Sequence, residues 1–277
     1  MINQTPFSVS MCVYGGDNAE HFKLAVESIL HQSVQPNEVV LVVDGPVPHR
    51  LDAVISEYEQ LPCFKVIRLK ENRGHGIARR TCLSNCSYNI VALMDADDIS
   101  VPRRFEKELD VLLNHDNLSI VGGDIAEFID RPENIVGYRK VPSGDKEIKE
   151  YLKKRCPMNQ MTVMFRKGDV ERAGGYLDWY CEEDYYLWLR MYLADMNFAN
   201  IPEVLVNVRV GKEMYQRRGG IRYFKSEAKI QRYMLQNRII CVPTYIFNVL
   251  KRLVVQVLMP NRIRGWVFKK FAREQKN

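Results

Sequence analysis

The sequence is short of the features that mark several protein classes. It has no CxxC pair. Its seven cysteines are scattered, with only Cys82 and Cys86 close together. That spacing argues against a structural zinc site, and an odd, dispersed set suits a reducing cytoplasmic compartment better than a secreted disulfide framework. The opening MINQTPFSVS carries neither a basic n-region nor an apolar core, so no secretory leader is expected there. The most apolar stretch, residues 239–259, is interrupted by Pro243, Lys251 and Arg252 and falls short of a membrane span. Internal repeats and low-complexity segments are missing too. What remains, 46% apolar and 27% charged residues in a chain of 277, suits one sizeable α/β domain with an appendage.

Charge is unevenly spread. From Arg209 onward, 17 Lys and Arg face only Glu213, Glu227 and Glu274, a local net of +14 within a total of +6, which leaves the first 208 residues at −8. An acidic body with a basic tail points to an anionic partner for the tail: lipid headgroups, nucleic acid or another protein.

The first half alternates strand-like and helix-like runs at βαβ spacing. Residues 7–14 (FSVSMCVY) read as a strand stopped by Gly15 and Gly16. Residues 19–32 carry Phe22, Ala25, Val26, Ile29 and Leu30 at helical spacing. The run EVVLVVD at 38–44 is apolar on both faces, as a covered parallel strand requires. A helix over 51–58, a strand over 64–69, a helix over 77–86 and a strand over 89–94 follow. Four such strands make a mostly parallel, Rossmann-like nucleotide-binding sheet with helices on both faces and ligand at the carboxyl strand ends. Further on, strands are predicted at 118–122, 135–141, 161–166 and 204–210, and helices at 146–154 and 183–194. After Gly211 come basic helices, with Gly219 and Gly220 as a hinge. Residues 1–210 are thus expected to form one α/β domain and 211–277 a basic helical extension.

Four segments carry candidate chemistry. Asp95-Ala96-Asp97-Asp98 follows a buried strand directly, and carboxylates there form a hard-oxygen site suited to Mn²⁺ or Mg²⁺, with open positions for diphosphate oxygens; the alternative is an acidic turn that caps the next helix. Asp44, ahead of Gly45 and Pro46, either accepts the N3–H of a uracil ring or closes an Asx turn on its own backbone. In Asn72-Arg73-Gly74-His75-Gly76-Ile77-Ala78-Arg79-Arg80 a glycine-containing loop enters a helix, where the helix start and Arg79 or Arg80 can hold phosphate or base, or the arginines sit in solvent. Glu182, Glu183 and Asp184 open a helix whose dipole favours acids. One of them, ionised near an ordinary pKa of about 4, can serve as a base, and spacing does not choose among them.

Taken in order, SVSMCVYGG, LAVESILHQSVQPNEVVLVVDG, NRGHGIARR, LMDADD, the Gly-Gly-Tyr turn at 174–176 and EEDYYLWLRM resemble glycosyltransferase family 2 with the GT-A fold, over residues 7–210. The resemblance implies that Tyr14 and Asp44 contact the nucleotide base, that Arg79 belongs to the nucleotide site, that Asp95 touches the ribose and that Asp97 binds the metal. It makes Asp184 the general base with Glu183 beside it; Asp98 and Arg80 are further candidates. Two departures stand out: Val43 replaces one of two acids common before the glycine, and Arg80 replaces an asparagine. The segment 157–163 (PMNQMTV) and the basic tail are similar to the bacterial subset that extends O-antigen, capsule and exopolysaccharide chains.

The implied reaction is transfer of a hexose, β-linked, from a UDP-sugar to a saccharide acceptor, polyprenyl-diphosphate-linked, by single displacement with inversion. The basic loop 209–220 is a candidate lid, and apolar runs over 245–250 and 253–259 with Trp266 and Phe268 suit a helix lying on the cytoplasmic face of the inner membrane. Two other classes fit the sequence less well. A sugar nucleotidyltransferase needs a longer Gly-rich triphosphate loop than Gly15-Gly16-Asp17. A nucleic-acid binder needs a recognisable motif in the tail, which lacks one, so no nucleic-acid partner is expected.

Overall fold

The described residues, 5–211 and 219–259 of this computed structural model, place nine strands in one sheet. Strands β1 (Phe7–Tyr14), β2 (Glu38–Asp44), β3 (Phe64–Arg68) and β4 (Ile90–Asp95) pair in parallel in the order β3-β2-β1-β4. Beyond β4 the sheet turns mixed. β8 (Met164–Arg166) runs antiparallel to β4 and β6 (Leu118–Phe128), and β9 (Asn197–Arg209) lies parallel to β6. The two-residue β5 (Ile99–Ser100) pairs with β9, and β7 (Ile135–Arg139) with β6.

Because strand side chains alternate, each strand of the parallel half feeds two cores. One face of β1 and β2 (Phe7, Val9, Met11, Val39, Leu41) packs on α1 (Ala19–Leu30), α2 (His49–Glu59) and α4 (Arg104–Leu113). The other face, with Val40 and Val42, meets α3 (His75–Asn85) and α7 (Glu183–Leu193). The α1 pattern explains itself: Asn18 caps it by accepting the Glu20 and His21 amides, and Phe22, Ala25, Val26 and Ile29 are fully buried. Truncating Phe22 to alanine would cost about 3–5 kcal/mol.

The second half departs from the sequence reading in instructive ways. The strand expected at 161–166 is only Met164–Arg166; the preceding residues form a 3-10 turn (Gln160–Thr162), because Thr162 and Asn159 donate to the Gly123 carbonyl instead of joining the ladder. The strands expected at 118–122 and 204–210 are the ends of an 11-residue β6 and a 13-residue β9. The apolar pattern does not mark α6 (Lys167–Arg172), and it gives no bounds for α4, the helix that the acidic-turn alternative implies after Asp98. In α4 the reason is a buried ion pair: Arg104 Nε donates to Glu108 at 3.0 Å with both side chains fully buried, so charged letters stand where apolar ones mark a core face.

Helix α5 (Asp145–Leu152) precedes the 3-10 turn, and two helices follow β9, α8 (Ile221–Gln236) and α9 (Val242–Leu253). α8 buries Ile230 and Met234 in the same core as Trp188 and Met191 of α7. α9 is fixed to α8 by Asn248 donating to Gln231 at 2.9 Å and by the Arg252–Glu227 pair at 2.5 Å. Its outer face leaves Ile246, Phe247 and Leu250 exposed, and Val254, which caps it, is exposed too. Most of the proposed lid (212–218), and Trp266 and Phe268, lie outside the described residues. Among the described residues, no helix is long and apolar enough to cross a membrane.

Candidate active site

Register decides where the chemistry gathers. Tyr14 pairs with Asp44 and Cys12 with Asp95, so the carboxyl ends of β1, β2 and β4 open on one edge of the sheet. Tyr14 stands 44% exposed there at the rim, with its ring lying against Gly16. Asp44 is buried, and its two oxygens accept the Arg73 and Gly74 amides at 2.7 and 2.9 Å. It therefore does not close a turn on its own backbone; it anchors the start of α3 across 30 residues of chain. Gly74 at φ +88° supplies the left-handed corner that aims the helix start at Asp44.

Arg79, one turn further along α3, is buried and fully engaged. It donates to the Ser10 carbonyl at 2.7 Å, to the Met94 carbonyl at 3.1 Å, to Asp95 and, through Nε, to His75 Nε2 at 3.2 Å. The guanidinium thus fixes Asp95 from beneath, while Arg80 next to it is exposed. Because an arginine can only donate, His75 Nε2 must accept, so the ring proton sits on Nδ1, 2.6 Å from Glu183. A continuous chain, Asp95–Arg79–His75–Glu183, joins the strand ends to the start of α7.

The Asp95-Ala96-Asp97-Asp98 turn projects from β4. Asp95 is about a quarter exposed. Asp98 is buried; one oxygen accepts the Arg209 amide at 2.9 Å, and the other has no hydrogen-bond partner. Burial, then the charges of Asp97 and Asp95, push Asp98 well above the usual carboxylate range. Asp17, in the turn after β1, is pushed up to about 6 by burial and by the same two charges, against the pull of its hydrogen bond from the Tyr14 amide. Two carboxylates raised in part by the charges of Asp95 and Asp97, and an orphaned buried oxygen on Asp98, describe a place where a divalent cation would relieve repulsion. The donors fit Mn²⁺ or Mg²⁺. Among the described residues no three His, Cys, Asp or Glu side chains form a ready ion cage, so the protein would supply one or two carboxylates and a bound diphosphate the rest.

The three acids that open α7 point three ways. Glu182 is buried toward α8 and accepts from Tyr223 Oη at 2.9 Å; burial and the neighbouring Glu227 push it well above its ordinary value. Glu183 turns to α3; burial alone would raise it, but the hydrogen bond from His75, its own backbone amide and the positive charges of His75 and Arg79 together hold it below the usual range. Asp184 is half-buried, accepts its neighbour's amide (Tyr185) at 2.6 Å, and has the Cys156 thiol 3.7 Å from its other oxygen. Burial and the adjacent Glu183 charge raise it to about 6. The expectation of an ordinary value near 4 is corrected: this carboxylate is more basic, yet still ionised at neutral pH.

Sequence reasoning missed two residues. Asp17 was legible only as part of a short Gly-Gly-Asp turn, although that turn directly follows a strand whose end lines the site. His75 carries no signal alone, since its role depends on two partners distant in sequence. Close packing enforces that role: a Cβ on Gly76 would stand 2.9 Å from the Leu177 carbonyl oxygen, so α3 and the approach to α7 fit tightly.

A parallel sheet with carboxylates at its strand ends, linked through Arg79 and His75 to the start of α7, is the α/β architecture of nucleotide-dependent enzymes. The family model "Glycosyl transferase family 2" matches residues 8–171, and the chain belongs to that family; it is a glycosyltransferase. An uncharacterized glycosyltransferase of Haemophilus influenzae is 42% identical over 224 residues, covering 81% of this chain and 83% of that one. The Escherichia coli UDP-Gal:alpha-D-GlcNAc-diphosphoundecaprenol beta-1,3-galactosyltransferase is 36% identical over 274 residues, 99% of each chain. Among solved structures, Staphylococcus aureus TarS 1-349 superposes with a TM-score of 0.63 at 16% identity, over 96% of this chain and 75% of that one, which shows a shared GT-A-type fold.

Proposed function

We propose that this glycosyltransferase moves a hexose from a UDP-sugar to a hydroxyl of a polyprenyl-diphosphate-linked saccharide, with inversion, in bacterial surface-polysaccharide assembly. The full-length similarity to the Escherichia coli galactosyltransferase supports the substrate classes. The observation that carries the mechanism is the half-buried Asp184 at about 6, one residue from the chain that leads to Asp95.

Asp44 and Tyr14 border the base-binding edge, and Asp95, set by Arg79, faces the ribose. Asp184 takes the proton of the acceptor hydroxyl as its oxygen forms the new bond to C1 of the sugar. The C1–O bond to the diphosphate breaks on the opposite side, and the nucleotide diphosphate leaves with the electron pair. A base near pH 6 is well matched, being ionised at neutrality while binding a proton more strongly than an ordinary aspartate. Mn²⁺ or Mg²⁺, held by Asp97 with Asp95 beside it, would neutralise charge on the departing diphosphate. Glu183 keeps its charge next to Asp184 through His75, which sustains the raised basicity.

A donor panel with Mn²⁺, read as nucleotide diphosphate release that depends on acceptor, tests the assignment. Asp184→Asn should lose about a hundredfold or more in kcat with little change in nucleotide affinity; a variant of full rate rejects this base.

The exposed Ile246–Phe247–Leu250 face of α9, continued by Val254 at its C-cap and beside Lys251, supports docking at the cytoplasmic membrane surface. Phe247→Glu should abolish co-flotation of the full chain with anionic liposomes while soluble-acceptor turnover stays intact. Equal flotation of both proteins would end this reading.

A further inference from the structure

A cavity of about 300 Å³ opens between the 178–180 loop and the first turns of α8. Arg222 lies over the Tyr180 ring with Cζ 4.0 Å from its centroid, and Lys229 Nζ stands 4.1 Å over Trp179. Lys225 completes the row. The three occupy positions i, i+3 and i+7 on one face of α8, a span of about 10 Å at 1.5 Å per residue. None of them forms an ion pair with a carboxylate among the described residues. Trp179 in turn leans on Tyr186 at 4.3 Å between centroids, so the rings fix the cations in place.

The pocket is preformed. Ser226 Oγ donates to the Tyr180 carbonyl at 2.5 Å, Trp179 Nε1 to the Ser226 carbonyl at 3.4 Å, and Tyr223 to Glu182. These bonds clamp the loop to α8. Consecutive residues Glu182 and Glu183 face opposite neighbours, α8 and α3, so the start of α7 stands between this pocket and the strand-end cleft. Tyr180 precedes Asp184 by four residues, which places the pocket within about 14 Å of chain from the proposed base.

We infer that this pocket is the subsite for the acceptor's diphosphate, a conclusion that rests on the glycosyl-transfer reading above. Three cations against Asp178 on the rim leave a charge of about +2, the complement of a diphosphate diester. Their spacing exceeds what one phosphate needs and suits two in series. The donor's diphosphate belongs at the carboxylate end of the cleft, so a second anion site across α7 serves the second substrate. Seated there, the diphosphate turns the attached sugar toward Asp184.

The test uses the full chain, the Lys225→Ala/Lys229→Ala double variant and Lys229→Arg. The probes are an N-acetylhexosaminyl diphosphate with a short soluble alkyl tail and the same sugar as a plain alkyl glycoside. The double variant should raise KM for the diphosphate acceptor about tenfold or more, with UDP affinity unchanged, and Lys229→Arg should retain most of the affinity. The plain glycoside should be a poor acceptor whose kinetics neither variant alters. An unchanged KM, or an equal shift for both acceptors, overturns the subsite. So does a defect confined to capture by phosphatidylglycerol vesicles, which would assign the cations to lipid headgroups. If the wild type transfers no sugar, calorimetry separates the two ideas: binding of the diphosphate probe that the double variant loses sustains the subsite and rejects the transfer reading, whereas no binding to the wild type overturns the subsite.

Discussion

The acids at the end of β4 and those at the start of α7 look alike as letters and behave differently as groups. At β4, Asp95, Asp97 and Asp98 crowd together with Asp17, and their mutual repulsion, tempered by Arg79 under Asp95, is what a divalent cation would relieve. At α7, three consecutive acids separate into a buried Glu182 bonded to Tyr223, a Glu183 held ionised by His75, and an Asp184 left half-buried near pH 6. One cluster acts by convergence, the other by divergence. Environment, and not sequence spacing, divides the labour.

The largest effect that would break this contrast lies at Arg79, which holds the β4 cluster. Arg79→Met strands Asp95 and two backbone carbonyls in a buried setting, and should cost about 3–5 kcal/mol by denaturant unfolding together with nucleotide binding. Arg79→Lys should not restore binding, because an ammonium cannot span four partners. Normal nucleotide affinity in either variant would remove the clamp from the account.

The smallest effect should come from Glu182, the member of the α7 trio turned away from the cleft. Glu182→Gln keeps an acceptor for Tyr223 and should leave kcat within about twofold. Its stability effect has a definite sign. A carboxyl whose folded pKa lies above its unfolded value, about 4.3, binds more protons when folded, so the folded state loses ground as pH rises from there through the folded value. The glutamine variant should therefore gain Tm over the wild type at pH 8 and gain little at pH 4.5. The reverse order would mean that Glu182 is ionised and well paired.

The parallel half and its motifs were legible because local pattern and burial agree there: EVVLVVD is apolar on both faces and covered on both, and the α1 stripe is the buried stripe. The rest was hidden by interactions between distant residues. Helix α4 conceals a buried ion pair inside RFEKELD. The 3-10 turn at 160–162 is set by hydrogen bonds to Gly123, nearly forty residues away. The division of roles among Glu182, Glu183 and Asp184 depends on Tyr223, His75 and Cys156, which no spacing rule reveals.

The most direct measurement is the pH dependence of kcat for acceptor-dependent nucleotide release, in the wild type and in Glu183→Gln. The wild-type rate should fall with a one-proton slope as pH drops through about 6. Removing the Glu183 charge, the second cause after burial, should move that acid limb to lower pH. A wild-type rate that stays level down to pH 4.5, or a limb that Glu183→Gln leaves in place or shifts upward, would contradict Asp184 as the group that receives the proton.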